Sequence, residues 1–380
     1  MKLQALVLCS DEKILRVLRR VLSDLEISID HCAEPDGAIH KITRQRYEAI
    51  IVDCTTEQVA SQILRGARSA PCNKRAVAVA ILDPEKAMKS AFDLGAHFVL
   101  YKPISVERAK TSFRAARALM KRERRRNTRL PVEIPVQIFF QDGQGQQRAT
   151  TADLSEGGMA VQPAPSGKYP APMMVSFGLP GTDQKIECVG EVAWANSSRQ
   201  AGIRFKDMSV ENASQLKIWL ESQAAELEPD DPPVPCRLTD LSPACGYLET
   251  NAPFPQGSKV SLSVPVGSGR VHVLAVVKVA HPEVGMGVEF LRTLPQQQQE
   301  LQRFIQALVS AGENVPEIMI QPEGLADDER VPGSIPAGPP SADPLLRLFQ
   351  TKAALPAEAF QEELRKQRGS HSSEPAAASA

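Results

Sequence analysis

Residues 121–129 read KRERRRNTR, and residues 153–161 read DLSEGGMAV. The first stretch places six cations in nine positions beside a single Glu. Taken alone, it is a solvated helix end or a generic polyanion patch, because clustered like charges repel and stay in water. Its surroundings change that reading. Short β segments begin directly downstream, and the second stretch lies among them. Arg125 and Arg129 stand four residues apart, and Asp153, Ser155, Gly157 and Gly158 follow. A guanidinium forks onto a nucleobase edge or a phosphate and also stacks on a ring face. A carboxylate such as Asp153 accepts hydrogen bonds, and the Ser155 hydroxyl donates or accepts. Gly157 and Gly158 permit a tight turn and close ligand approach. Without a ligand, Asp153 and Ser155 make an ordinary Asx or Ser turn.

Working outward, Val136–Phe140, Arg148–Leu154, Met159–Val161, Met173–Leu179, Ile186–Ala195 and Gly202–Phe205 read as β segments split by Gly, Pro and Asp. Strands this short and closely spaced predict a small antiparallel barrel. A helix is expected over about Val210–Glu226, with Leu216, Trp219 and Leu220 on its apolar side. Residues 227–235 (LEPDDPPVP) read as a linker, after which the β pattern restarts and ends in a helix over Gln296–Leu308. DLSEGGMAVQPAP near 153 and DLSPACGYLETNAPFP near 240 are visibly related, which indicates an internal duplication.

The pair Arg125/Arg129, then Asp153, Ser155 and Gly158 before an apolar strand, resembles the PilZ family. Gly202–Phe205 and the Trp219 helix resemble that family's last strand and C-terminal helix. The resemblance covers about 105 residues, 121–226, and implies a six-stranded barrel that binds cyclic di-GMP as a sensor rather than an enzyme. Carried onto this sequence, it implies a ligand site of Arg124, Arg125, Arg126, Arg129, Asp153, Ser155, Gly157 and Gly158, with Arg124 and Arg126 as supporting cations. The second barrel, 227–310, also resembles PilZ, but Ala244-Cys245 replaces Gly-Gly and no paired arginines precede Asp240 and Ser242. It is expected to bind no dianion and to serve packing or partner contact.

Residues 1–120 alternate apolar strands (Ala5–Leu8, Ile27–Asp30, Ala49–Asp53, Ala76–Leu82, Phe98–Tyr101) with helical patterns, so a doubly wound parallel α/β sheet is expected. Ser10 is the expected cap of the first helix. The segment resembles a response-regulator receiver, flavodoxin-like in fold. AIIVD puts Asp53 at the phosphoacceptor position and LYKP puts Lys102 at the active-site lysine. Two departures argue against phosphorylation. Cys9-Ser10 stands where the resemblance implies an acidic pair, and Mg²⁺ needs hard oxygen ligands. Ala80 is read at the position of the sensing hydroxyl. A pseudo-receiver is therefore expected, with Asp53 and Lys102 keeping a salt bridge.

Residues 311–380 are rich in Pro, Ala, Gly, Glu and Ser and read as a disordered tail. Within it, 344–366 is amphipathic, either a transient helix or one that docks a partner. The fold class expected is thus a multidomain chain: receiver-like α/β domain, two PilZ-like barrels and tail. Cysteines 9, 32, 54, 72, 188, 236 and 245 lack C-x-x-C spacing and read as reduced, buried thiols of a cytoplasmic protein. The six histidines form no metal motif, so no metal and no cofactor is expected. No run reaches the about 18–20 apolar residues that span a bilayer. Net charge is −1, and with no reading helix a nucleic-acid partner is not expected. The expected function is a non-enzymatic cyclic di-GMP effector that signals to a protein partner. The alternatives are a response regulator phosphorylated at Asp53 and a PilZ scaffold that binds protein only.

Overall fold

The computed structural model describes residues 2–70, 72–83, 91–92, 94–140, 145–165, 172–223, 230–266, 269–292, 295–311, 317–325, 343–353 and 355–371. They fall into two compact units. One holds residues 124–229 with 294–297. The other holds 2–123, 230–293 and 298–380.

In the second of these units the chain begins β1 (Leu3–Leu8), α1 (Glu12–Asp24), β2 (Ile27–Cys32), α2 (Pro35–Arg44), β3 (Ala49–Asp53), α3 (Glu57–Ser69), β4 (Val77–Leu82), β5 (Phe98–Tyr101) and α4 (Val106–Arg126). The five strands are parallel in the order β2-β1-β3-β4-β5, the doubly wound arrangement expected. The unbroken apolar runs arise because both faces of the inner strands are covered: every residue of β4 is buried. Asp11, not Ser10, caps α1. Its Oδ1 accepts from the Lys13 and Ile14 N–H groups at 2.7 and 3.3 Å, since residue 11 keeps extended dihedrals where the helix starts.

The unit of residues 124–229 is a closed barrel of β6 (Pro135–Phe140), β7 (Gln146–Ser155), β8 (Gly158–Gln162), β9 (Met173–Gly178), β10 (Lys185–Ala195) and β11 (Ala201–Met208), followed by α5 (Val210–Gln223). Ile138, Leu154, Val161, Val175 and Ile186 fill it, alternating along their strands with outward residues. Leu216 and Trp219 of α5 join this core, and the Trp219 indole N–H donates to the Pro180 carbonyl at 2.9 Å.

The second barrel comprises β12 (Val234–Leu241), β13 (Cys245–Glu249), β14 (Ser258–Val266), β15 (Gly269–His281), β16 (Gly285–Phe290) and β17 (Glu317–Leu325), with α6 (Pro295–Ala311) before the last strand. It is a circular permutation of the first. In the first barrel β6 opens the chain and lies between β7 and β9; in the second, β17 closes the chain and lies between β12 and β14. Strand β17 falls inside 311–380, the stretch expected to be disordered, so the barrel ends at 325 rather than 310. Two helices, α7 (Pro344–Lys352) and α8 (Ala357–His371), follow and pack on this barrel; the expectation of disorder is corrected there too, because their apolar residues are buried. Residues 326–342 and 372–380 lie outside the described residues.

Helix α4 also packs on the second barrel, and one continuous apolar cluster runs from the parallel sheet through Leu119 and Met120 to Leu325. The first cations of the basic run are used here. Lys121 Nζ and Arg117 Nη1 meet Asp231 Oδ1 at 2.9 and 2.5 Å, and Arg122 Nη2 meets Glu323 Oε2 at 3.0 Å. Glu123 is buried; it accepts from the Leu325 N–H at 2.6 Å and pairs with Arg75 at 3.2 Å.

Candidate functional site

The next three cations, Arg124, Arg125 and Arg126, form the last turn of α4, where positive charge offsets the exposed carbonyls of a helix end. All three are helical. Thr128 ends the helix: its N–H donates to Arg125 O at 3.0 Å and its hydroxyl to Arg124 O at 2.8 Å. Arg125 is held by Glu221 of α5, Nη1 to Oε1 at 2.5 Å. The chain then runs beside β7, with Leu130 and Leu154 exchanging both backbone hydrogen bonds at 2.8 and 2.9 Å.

That bridge delivers Arg129 to Asp153, Nη1 to Oδ1 at 2.8 Å. A β-bulge between Thr151 and Asp153 turns the carboxylate out of the ladder, which is how a strand re-aims one side chain. Asp153 Oδ1 also accepts from the Ala160 N–H at 3.3 Å. Ser155 Oγ donates to Gly158 O at 2.9 Å, and the Phe205 N–H donates to Gly157 O at 3.0 Å. Five expected residues (Arg129, Asp153, Ser155, Gly157, Gly158) thus meet around one hairpin.

The two glycines serve different ends. A Cβ on Gly158 would lie 2.3 Å from the Ile203 carbonyl oxygen of β11, so glycine is required by strand packing. A Cβ on Gly157 meets nothing within 4 Å, so that glycine keeps an open face over the hairpin.

The second barrel repeats the hairpin. A bulge between Leu238 and Asp240 matches that before Asp153. Ser242 and Cys245 stand as Ser155 and Gly158 do, with Ser242 Oγ 3.2 Å from Cys245 O. The Phe290 N–H donates to Ala244 O at 2.9 Å, as Phe205 does to Gly157. Permutation accounts for the missing arginine motif, because among the described residues no strand equivalent to β6 precedes β12 to carry one in.

The PilZ domain family matches residues 123–222 and again 221–307. The chain carries two PilZ domains. Among solved structures, the chain is similar to the PilZ domain of CeSA from a cellulose-synthesising bacterium, at 21% identity and TM-score 0.23 over 26% of this chain and 98% of that one. It is also similar to the receiver domain of a Pseudomonas aeruginosa sensor histidine kinase, at 19% identity and TM-score 0.28 over 32% of this chain and 98% of that one. A third similarity is to a Bacillus subtilis inhibitor of motility, at 17% identity and TM-score 0.23 over 27% of this chain and 51% of that one. No curated protein matches the chain. No helix among the described residues is long and apolar enough to cross a membrane.

Ahead of the PilZ domains, the receiver-like sheet gathers its own polar cluster at the C-terminal ends of β3, β4 and β5. Lys102 Nζ lies 2.8 Å from Asp53 Oδ1 and 3.4 Å from Asp83 Oδ1, and donates to Thr55 Oγ1 at 2.9 Å. Burial lowers the Lys102 pKa, but Asp53 and Asp83 outweigh it and hold the ammonium above its ordinary value. The Asp53–Lys102 bridge expected from the sequence is present. Asp83, rather than Ala80, completes the site: Ala80 is a buried strand residue paired with Val52. A second carboxylate there opposes a phosphoryl group on Asp53. Cys9 lies 3.7 Å from Asp53 Oδ2, and burial pushes its thiol up to about 11, so at neutral pH it stands beside the carboxylate as a neutral thiol. Asp11 is engaged as the α1 cap. Six of the seven cysteines are buried as expected; Cys72 is exposed.

Sequence reasoning missed Glu221, the anchor of Arg125, and Asp83. Neither stands in a motif. Asp83 had a signal in its place one residue past β4, where a polar group at a strand end faces the cluster.

Proposed function

We propose that the first PilZ domain is the cyclic di-GMP receptor of this chain. Arg125 and Arg129 act as the guanidinium clamp, with Arg124 and Arg126 adding positive field. Asp153 accepts from a guanine N–H edge, Ser155 holds the hairpin, and the open face at Gly157 admits the ligand. The observation that carries the reading is the Leu130–Leu154 bridge, which sets Arg129 against Asp153 beside a turn with room above it. Both partners of that pair are part-exposed, at 48% and 28%, so exchanging one for ligand costs only the about 0.2–1 kcal/mol of a surface ion pair.

The reading is of a non-catalytic, cytoplasmic effector that passes its state to a protein partner. The relay runs through α4, whose last turn holds Arg124–Arg126 and whose earlier turns pack on the second barrel. Filter binding with labelled cyclic di-GMP tests the site. Losing one charge-assisted contact of about 1.5–3 kcal/mol weakens binding by about 10–150-fold in Arg129→Ala and in Asp153→Ala. Undiminished binding in both refutes the assignment. Small-angle scattering tests the relay: saturation changes the profile, and an unchanged profile removes the relay while leaving the receptor.

A further inference from the structure

The tail helices α7 and α8 sit on the second barrel over the residues that repeat the ligand motif. Phe349 and Phe360 are fully buried, with ring centroids 6.4 and 5.8 Å from that of Tyr247, which pairs with Asp240 across β12 and β13. Gly287 makes room for them, since a Cβ there would lie 2.7 Å from the Phe349 ring. Asp343 caps α7 by accepting from the Leu345 and Leu346 N–H groups at 3.0 and 3.1 Å. The His281 ring lies 3.2 Å from the Leu355 carbonyl, just ahead of α8.

The last contact is the informative one. Arg368 of α8 donates from Nε to Asp240 Oδ1 at 2.7 Å and from Nη2 to Asp240 Oδ2 at 2.6 Å. This is the fork-on-fork geometry of a strong arginine–carboxylate pair. Asp240 is the second barrel's counterpart of Asp153, and Asp153 receives Arg129. Each motif aspartate is therefore met by an arginine from outside its barrel. The first barrel takes it from the segment before β6. The permuted second barrel has no such segment and takes it from the far end of the chain.

We propose that the motif face of the second PilZ domain is a helix-binding site whose ligand is the chain's own tail, residues 343–371, anchored by Arg368 on Asp240. The domain has exchanged a nucleotide for a helix. While the tail is seated it covers Tyr247 and engages Asp240, and the face is closed to any other occupant. This inference is independent of whether the first domain binds cyclic di-GMP.

The test uses the full chain with a protease site placed in 326–342. After cleavage, a tail fluorescently labelled at its C-terminus is followed by anisotropy on dilution and by size exclusion. The wild-type fragment stays with the body at the mass of one chain. Arg368→Asp weakens retention by at least about tenfold, and adding Asp240→Arg restores it, which a merely misfolded tail would not allow. Phe360→Ala weakens retention as well, as the loss of a buried ring requires. A wild-type fragment that elutes free, or an Arg368→Asp fragment retained as firmly as wild type, overturns the proposal. Retention only at twice the chain mass also overturns it, by making a second copy the occupant.

Discussion

Gly157 and Gly158 are adjacent and look interchangeable in sequence, yet their alanine variants should behave oppositely. In Gly158→Ala the new methyl would sit 2.3 Å from the Ile203 carbonyl and 3.2 Å from the Arg204 Cα, both backbone atoms of β11. Neither can rotate away, so β8 and β11 must separate where Gly158 pairs with Arg204. Overpacking of this kind costs about 1–3 kcal/mol. For a domain of about 100 residues, each kcal/mol lowers Tm by roughly 4–8 °C. In Gly157→Ala the methyl enters open space at a backbone without positive φ, so stability changes by no more than about 0.5–1 kcal/mol, upward if the unfolded chain is stiffened. The assay is built into the chain: its two tryptophans, Trp194 and Trp219, both belong to the first barrel, so tryptophan fluorescence follows that domain alone. Cyclic di-GMP binding then separates the roles, falling in Gly157→Ala without a loss of Tm because the methyl crowds the ligand face. Equal melting of Gly158→Ala and wild type would refute the packing argument, and a large Tm loss in Gly157→Ala would refute the open face.

Acetyl phosphate with Mg²⁺ should leave Asp53 unmodified by mass spectrometry, whereas Asp83→Thr removes the opposing carboxylate and is the variant in which any phosphoryl adduct would first appear. Lys102→Met removes the cation beside the mostly buried Asp53 carboxylate, which keeps the Thr55 N–H and hydroxyl as donors, and should destabilise the receiver-like domain by roughly 1–3 kcal/mol in a denaturant titration. Glu123→Ala leaves the buried Leu325 N–H and Arg75 without that carboxylate, and a loss of about 3–5 kcal/mol is expected, seen as early unfolding of the second barrel by hydrogen exchange. Burial, and then the charge of Arg68, hold the His97 pKa well below 6.5. The unfolded chain therefore takes up a proton that the folded chain refuses, so stability falls as pH drops below about 6.5. His97→Gln should flatten that slope in thermal scans by circular dichroism between pH 7.5 and 5; an unchanged slope would clear His97 of the effect.

The parts that were legible in sequence are those where local chemistry and fold agree. AIIVD and AVAVAIL could only be buried parallel strands, and the Arg and Asp-Ser-Gly motifs lie where the barrel needs them. What was not legible depends on distant partners. Strand β17 alternates Ile318, Ile320, Pro322 and Gly324 inward, but in a Pro- and Gly-rich stretch that reads as tail. Pro322 lies beyond the β12 pairing, which ends at 320, and beside a bulge in the β14 pairing at Lys259/Val260, the kind of position where a strand proline is found. The basic run reads as a single charge cluster, whereas Lys121 and Arg122 answer to Asp231 and Glu323, carboxylates more than a hundred residues away. Asp11 outcompeted Ser10 as helix cap by a single position. The stretch at 344–366 was legible as amphipathic, fitting either a transient helix or one that docks a partner, but its packing on the same chain's second barrel was not legible.

Isothermal calorimetry of the intact chain with cyclic di-GMP tests the central claim most directly, because stoichiometry and affinity come from one titration. One binding site per chain is predicted, weakened about 10–150-fold by Arg129→Ala or Asp153→Ala and left unchanged by Asp240→Ala. No heat from the wild-type chain, or an Asp240→Ala loss equal to that of Asp153→Ala, would contradict the account.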